Sequence, residues 1–135
     1  MVVTLKIKLG SYWSADIEFV DFSTLEDVHE AIQQAVDFDN DHLYAFFVAR
    51  NEHAQAKVTY DDENGGIFET RIRDVFPLPA KQFLFYLFDY GDCWTFKIMK
   101  SRKKEREPED GVSYPRLVTE TGKKPIQYDF DDDDY

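Results

Sequence analysis

Polar and apolar residues alternate strictly from Val2 to Leu9. Val3, Leu5, Ile7 and Leu9 fall on one side, and Thr4, Lys6 and Lys8 on the other. A period of two is the signature of a strand with one face buried. Gly10-Ser11 interrupts the pattern. Ile17 and Phe19, set against Asp16 and Glu18, then predict a second strand that pairs back as a hairpin. Next the period lengthens: Leu25, Val28, His29, Ile32 and Val36 recur at helical spacing and predict a helix over about residues 24–36. Ser23-Thr24-Leu25-Glu26 reads as its capping box, with Ser23 as N-cap and Glu26 at N3. Asp27, Glu30, Gln33 and Gln34 form a face compatible with solvent.

The aromatic run HLYAFFVAR (42–50) predicts a third strand. Asn64-Gly65 marks a turn between two weakly β-like runs, and Ile72, Val75 and Phe76 predict a short helical turn stopped by Pro77 and Pro79. FLFYLF (83–88) is apolar on both faces, as a central strand is. CWTFKIMK (93–100) places Trp94, Phe96 and Ile98 on one face, opposite Thr95 and Lys97. Between these strands, Gly91 is expected to supply the left-handed position of a tight turn. Asp89 and Asp92 are expected to tie that turn to backbone amides, with Trp94 packed beneath. After Lys100 the chain becomes polar. The whole reads as α+β: a mostly antiparallel mixed sheet with one main helix on one face, ordered β-β-α-β then hairpin, β-grasp-like. One domain is expected over residues 1–122, with an acidic C-terminal tail over 123–135.

Three segments, TLEDVHEAIQQAVDFDNDHLYAFFV, FLFYLFDYGDCWTFKI and YPRLVTETGKKPIQY, occur in an order and at distances that resemble the plasmid pRiA4b ORF-3-like family, also described as similar to the transposon passenger protein TnpR. The likeness runs from about Leu5 to Tyr128. Its most specific piece is the aromatic-Asp-aromatic-Gly-Asp-x-Trp pattern at Phe88 to Trp94, followed by the helix with Leu25 and His29 and then Asp41-His42-Leu43. The resemblance implies a prokaryotic protein, associated with mobile elements in some members, and no particular reaction. Family members typically show Trp-Arg where this chain has Trp13-Ser14, and often a Trp at Phe38, a His at Phe96 and a Cys at Leu117. These departures weaken any claim that a polar catalytic set is retained.

Charge narrows the chemistry further. The formal net charge is −11, which repels nucleic-acid phosphates over the molecule as a whole. It is unevenly spread: DFDDDDY (129–135) holds five Asp, whereas KSRKKER (100–106) is basic. Lys100, Arg102, Lys103, Lys104 and Arg106, with Arg116, are therefore the candidate phosphate contacts. A recombinase needs a nucleophilic hydroxyl with several Arg gathered at the scissile phosphate. The six Arg here are scattered without a motif. Cys93 is the only cysteine, which excludes an internal disulfide and a cysteine-based zinc site. Asp92 beside it would raise the thiol pKa, against a nucleophilic role. His29, Asp41, His42, Asp89 and Asp92 are candidate ligands for a divalent metal, carboxylate and imidazole together suiting Zn, Mn or Fe, although no diagnostic spacing joins them. For His29, on the apolar helix face, the structural alternative is a core histidine hydrogen-bonded to a carboxylate.

The longest apolar run, Phe83 to Phe88, is too short to span a membrane. The N-terminus lacks a signal-peptide core, so a cytoplasmic protein is expected. Tyr12, Trp13, Tyr44, Phe46, Tyr60, Tyr86, Tyr90 and Trp94 exceed what one small core needs, and exposed aromatics favour interfaces. The sequence thus favours a non-catalytic interaction or accessory protein with a protein partner and no cofactor. The alternatives are an accessory in nucleic-acid transactions and a metal-dependent enzyme.

Overall fold

The computed structural model describes residues 1–127. The elements in chain order are β1 (Val2–Leu9), β2 (Trp13–Val20), α1 (Leu25–Val36), β3 (Tyr44–Ala49), β4 (Val58–Tyr60), α2 (Gly66–Glu69), α3 (Ile72–Val75), β5 (Phe83–Phe88), β6 (Trp94–Lys100) and β7 (Arg116–Gly122). They form a seven-stranded sheet in the order β4-β3-β5-β6-β1-β2-β7. This is the expected α+β arrangement with one main helix. The sheet is antiparallel in every ladder among the described residues.

In β1, Val3, Leu5, Ile7 and Leu9 are buried and Lys6 and Lys8 exposed, as the period implies, while Thr4, expected on the polar face, is buried as well. These apolar residues join Trp13, Ala15, Ile17 and Phe19 of β2, and Phe96 and Ile98 of β6, in the main core under α1. The helix contributes Leu25, Val28, Ile32 and Val36. Each wholly buried large side chain of this kind contributes roughly 2–3 kcal/mol. The opposite face has a smaller cluster of Phe47, Ala49 and Phe85, with Phe83 and Leu87 packed against it. So β5 is covered on both faces, as its unbroken apolar run predicted. Lys97 completes that cover, its ammonium 3.7 Å from the centre of the Phe83 ring.

The helix start is shifted by one residue from the expected capping box. Thr24 is the N-cap and Asp27 stands at N3: the Asp27 N–H donates to Thr24 Oγ1 (3.3 Å) and the Thr24 N–H to Asp27 Oδ2 (2.9 Å). Ser23 is occupied elsewhere, its N–H on Val20 O and its carbonyl accepting from Ile72 N. At the other end Asp37 takes the left-handed conformation (φ 59°), and the following N–H, of Phe38, reaches back to Gln33 O. That closure turns Phe38 into the core against Phe88 and Trp94.

β7 lies in the stretch after Lys100 whose composition is polar, and it is an edge strand paired to β2. A bulge between Asp16 and Ile17 breaks its register, and most of its residues are exposed, so it shows no period of two. Gly122 closes it at φ 89°, where any Cβ would lie 2.0 Å from Tyr12 O.

Candidate functional site

The hairpin between β5 and β6 is held by one side chain. Asp89 Oδ1 accepts from the N–H of Gly91 (3.0 Å) and of Asp92 (3.3 Å), and the Asp89 carbonyl accepts from Cys93 N (2.6 Å). The left-handed residues are Asp89 (φ 68°) and Cys93 (φ 55°), which corrects the role given to Gly91. Aspartate tolerates this conformation because its short side chain bonds the backbone just ahead of it. Gly91 serves space instead: a Cβ there would meet Asp89 Oδ1 at 3.3 Å. Asp92 does not share the tying role with Asp89. It turns to the groove described below.

The second carboxylate oxygen of Asp89 faces His42. His42 Nε2 lies 3.4 Å from Asp89 Oδ2 and 3.6 Å from Asp41 Oδ1. Asp41 also accepts from Gln127 Nε2 (2.9 Å), while Gln127 Oε1 accepts from the Asp39 N–H (2.6 Å). Three of the five candidate metal ligands, Asp41, His42 and Asp89, therefore come together. His29 and Asp92 do not join them. Among the described residues no group of three or more His, Cys, Asp or Glu is arranged to hold a metal ion.

Gln127 also anchors the segment that closes a groove of about 630 Å³, open to solvent. Its walls are Tyr12 from the β1–β2 turn, Asp92 and Trp94 from the β5–β6 hairpin, and residues 123–127. The segment is held by Lys123 N donating to Tyr12 O (3.0 Å) and by Lys124 Nζ 3.3 Å from Asp37 Oδ2. The Trp94 indole N–H is buried and has no acceptor among the described residues. Composition concealed this site, because residues 123–127 read as the start of an acidic tail. The remaining signal was Pro125-Ile126, an apolar pair set just before the Asp run. The Asp run itself, 129–135, lies outside the described residues.

His29 belongs to a different environment. It is buried and stacked on Tyr44 with ring centres 3.6 Å apart. Its partners are the Tyr86 hydroxyl at Nδ1 (2.5 Å) and Asn40 Oδ1 at Nε2 (2.7 Å), not the carboxylate expected from the sequence. Gln33 Nε2 donates to the Tyr86 oxygen (3.0 Å). The single Tyr86 proton therefore goes to His29 Nδ1, and the neutral imidazole carries its hydrogen on Nε2, toward Asn40. Burial lowers the His29 pKa to about 4, with Asn40 opposing. Burial likewise pushes the Tyr44 and Tyr86 hydroxyls well above the ordinary tyrosine range. The network packs inside the core, with both His29 ring nitrogens partnered.

The basic residues divide. Glu18 is buried on β2 and accepts from both Arg106 Nη2 (2.6 Å) and Arg116 Nε (2.9 Å). Burial pushes its carboxyl up, but the two guanidinium groups outweigh that and hold it below the usual range. Lys100 pairs with Glu105. Arg102, Lys103 and Lys104 remain exposed. Of the aromatics counted as surplus to a core, Tyr12 and Tyr90 are exposed, Tyr44, Tyr60 and Trp94 are half-buried, and Trp13, Phe46 and Tyr86 are fully buried.

A protein of unknown function, MM3350 from Methanosarcina mazei Go1, has a crystal structure similar to this fold, with a TM-score of 0.71 at 24% identity over 88% of this chain and 68% of that one. At that identity the likeness speaks for the fold alone. No curated protein matches the chain. The profile of the plasmid pRiA4b ORF-3-like proteins matches residues 3–133, taking in the helix, the Asp41-His42 pair and the Asp89–Trp94 hairpin. On that match the chain belongs to the plasmid pRiA4b ORF-3-like family.

Proposed function

We propose that this protein is a non-catalytic interaction or accessory protein, and that the groove between the β1–β2 turn, the family hairpin and residues 123–127 receives its protein partner. The observation that carries the reading is the use of the family's most specific residues. Asp92 and Trp94 line an open groove, with exposed Tyr12 and Ile126 on its walls. Tyr and Trp bring large contact area at small entropic cost. No helix among the described residues is long and apolar enough to cross a membrane, and exposed, unpaired Cys93 accords with a reducing cytoplasm. The plasmid in the family's name accords with an accessory of mobile elements.

A photo-crosslinking residue placed at Tyr12 in the native host tests the reading. The expected result is a discrete adduct that is absent when the same residue replaces the equally exposed Val58 on β4, and that is lost with Ile126→Asp. Identical patterns from both positions would sink it. The nucleic-acid alternative rests on Arg102, Lys103 and Lys104, since Arg106 and Arg116 face Glu18. It requires salt-dependent DNA binding that disappears on charge reversal of Lys103 and Lys104. The metal-enzyme alternative rests on the approach of Asp41, His42 and Asp89. It requires stoichiometric metal in protein purified without chelator.

A further inference from the structure

A second surface lies on the far side of α1. Two adjoining hollows of about 220 and 280 Å³ share Ala31, Gln34 and Pro115, and together form a trough along the helix. Its floor is apolar: Ile17, Ala31, Ala35, and exposed Leu117 of β7. Its helix wall carries Asp27 and Glu30, and no Lys or Arg lines either hollow.

The trough runs beside β7, the outermost strand at this end of the sheet among the described residues. An edge strand presents a row of backbone donors and acceptors to whatever approaches, and proteins guard such edges by shortness, Pro, charged side chains or bulges. The opposite edge, β4, is three residues long. β7 has seven residues, RLVTETG; its two charged side chains are engaged with β2, Arg116 on Glu18 and Glu120 on the Trp13 indole, and its one bulge lies in the pairing with β2. Its register places Leu117 opposite Ile17, on the helix face, so a strand added outside β7 would direct alternate side chains into the trough.

We propose that β7 accepts an extended peptide from a basic partner protein as an eighth strand, whose helix-facing residues, every second one, place apolar side chains in the trough and a Lys or Arg on Asp27 and Glu30. Main-chain bonding would give the affinity and the alternate side chains the specificity. A second copy of this chain is the poorer occupant, because pairing would bring together two chains of net charge −11.

A heptapeptide with Val and Lys both at its helix-facing positions 2, 4 and 6 and Thr at the positions between (a Val/Lys peptide), followed by calorimetry, tests this directly. It is expected to bind at least ten-fold more tightly than its Val/Glu counterpart and more weakly as salt rises. N-methylation of one alternate set of its amides should abolish binding, while methylation of the other set is tolerated. Glu30→Lys and Leu117→Lys should each weaken binding at least five-fold with unchanged thermal unfolding, and Glu52→Lys, remote from the trough, should not. Four results would overturn the proposal: no binding of the Val/Lys peptide, tolerance of both methylation patterns, equal losses from Glu30→Lys and Glu52→Lys, or dimerisation in sedimentation that Leu117→Lys removes. The last would assign the trough to a second copy.

Discussion

His29 and His42 both pack on the same aromatic end of the sheet, His29 stacked on Tyr44 and His42 edge-on to Phe88, with ring centres 5.8 Å apart in the second pair. Their surroundings differ. His29 is sealed, with neutral partners on both nitrogens and its pKa lowered to about 4 by burial. His42 is partly exposed and meets two carboxylates, Asp41 and Asp89. The contrast teaches that residue type and proximity in sequence do not define a site. Both histidines counted as candidate ligands, and burial divides them into a core hydrogen-bond relay and a surface anchor.

The largest test of this contrast is acid. His29 is neutral in the fold and takes up its proton in the unfolded chain below about pH 6.5, so the unfolded state binds more protons there and stability falls with pH. The loss begins near pH 6.5 and is complete near pH 4, on the order of 3 kcal/mol in all. Urea unfolding across this range should show the slope in the native protein and not in His29→Gln. Equal slopes would mean that other groups carry the acid sensitivity.

Next in size is Tyr86→Phe, which strands His29 Nδ1 and Gln33 Nε2 in the core. It should cost about 2 kcal/mol in denaturant midpoint. Asp89→Ala comes third. It removes two amide acceptors and puts alanine in a left-handed conformation, at about 1–2 kcal/mol, whereas Asp89→Asn keeps both features and should cost much less. The smallest effect belongs to His42→Ala, under about 1 kcal/mol because its contacts with Asp41 and Asp89 are partly exposed. A reversal of this order would place the stabilising network at the hairpin tip instead of under α1.

Much of the fold was legible because it obeys one period at a time. β1 alternates, α1 repeats at helical spacing, and β5 is apolar on both faces because both faces are covered. β7 was not legible, since a bulge breaks its register and an exposed edge needs no alternation. The hairpin tip was legible in composition but not in conformation: Asp89 turns the chain, where glycine was expected to. The groove was hidden for another reason. It is assembled from Tyr12, Trp94 and Ile126, far apart in the chain, and the third of these sits in a stretch whose composition resembled a tail. The His29 network was likewise invisible, because its partners Asn40 and Tyr86 come from a loop and a distant strand.

The double grip on Glu18 has a consequence for chain length. Arg106 and Arg116 fix both ends of the intervening stretch to one buried carboxylate, so residues 107–115 leave and return to the same point on the sheet. Closing such a loop costs little more as it grows, about 0.6 kcal/mol for each doubling of its length. Extra residues inserted between Glu107 and Ser113 should therefore leave the sheet intact, and this is where the chain can lengthen, or carry an inserted tag or module, at the smallest cost to the fold.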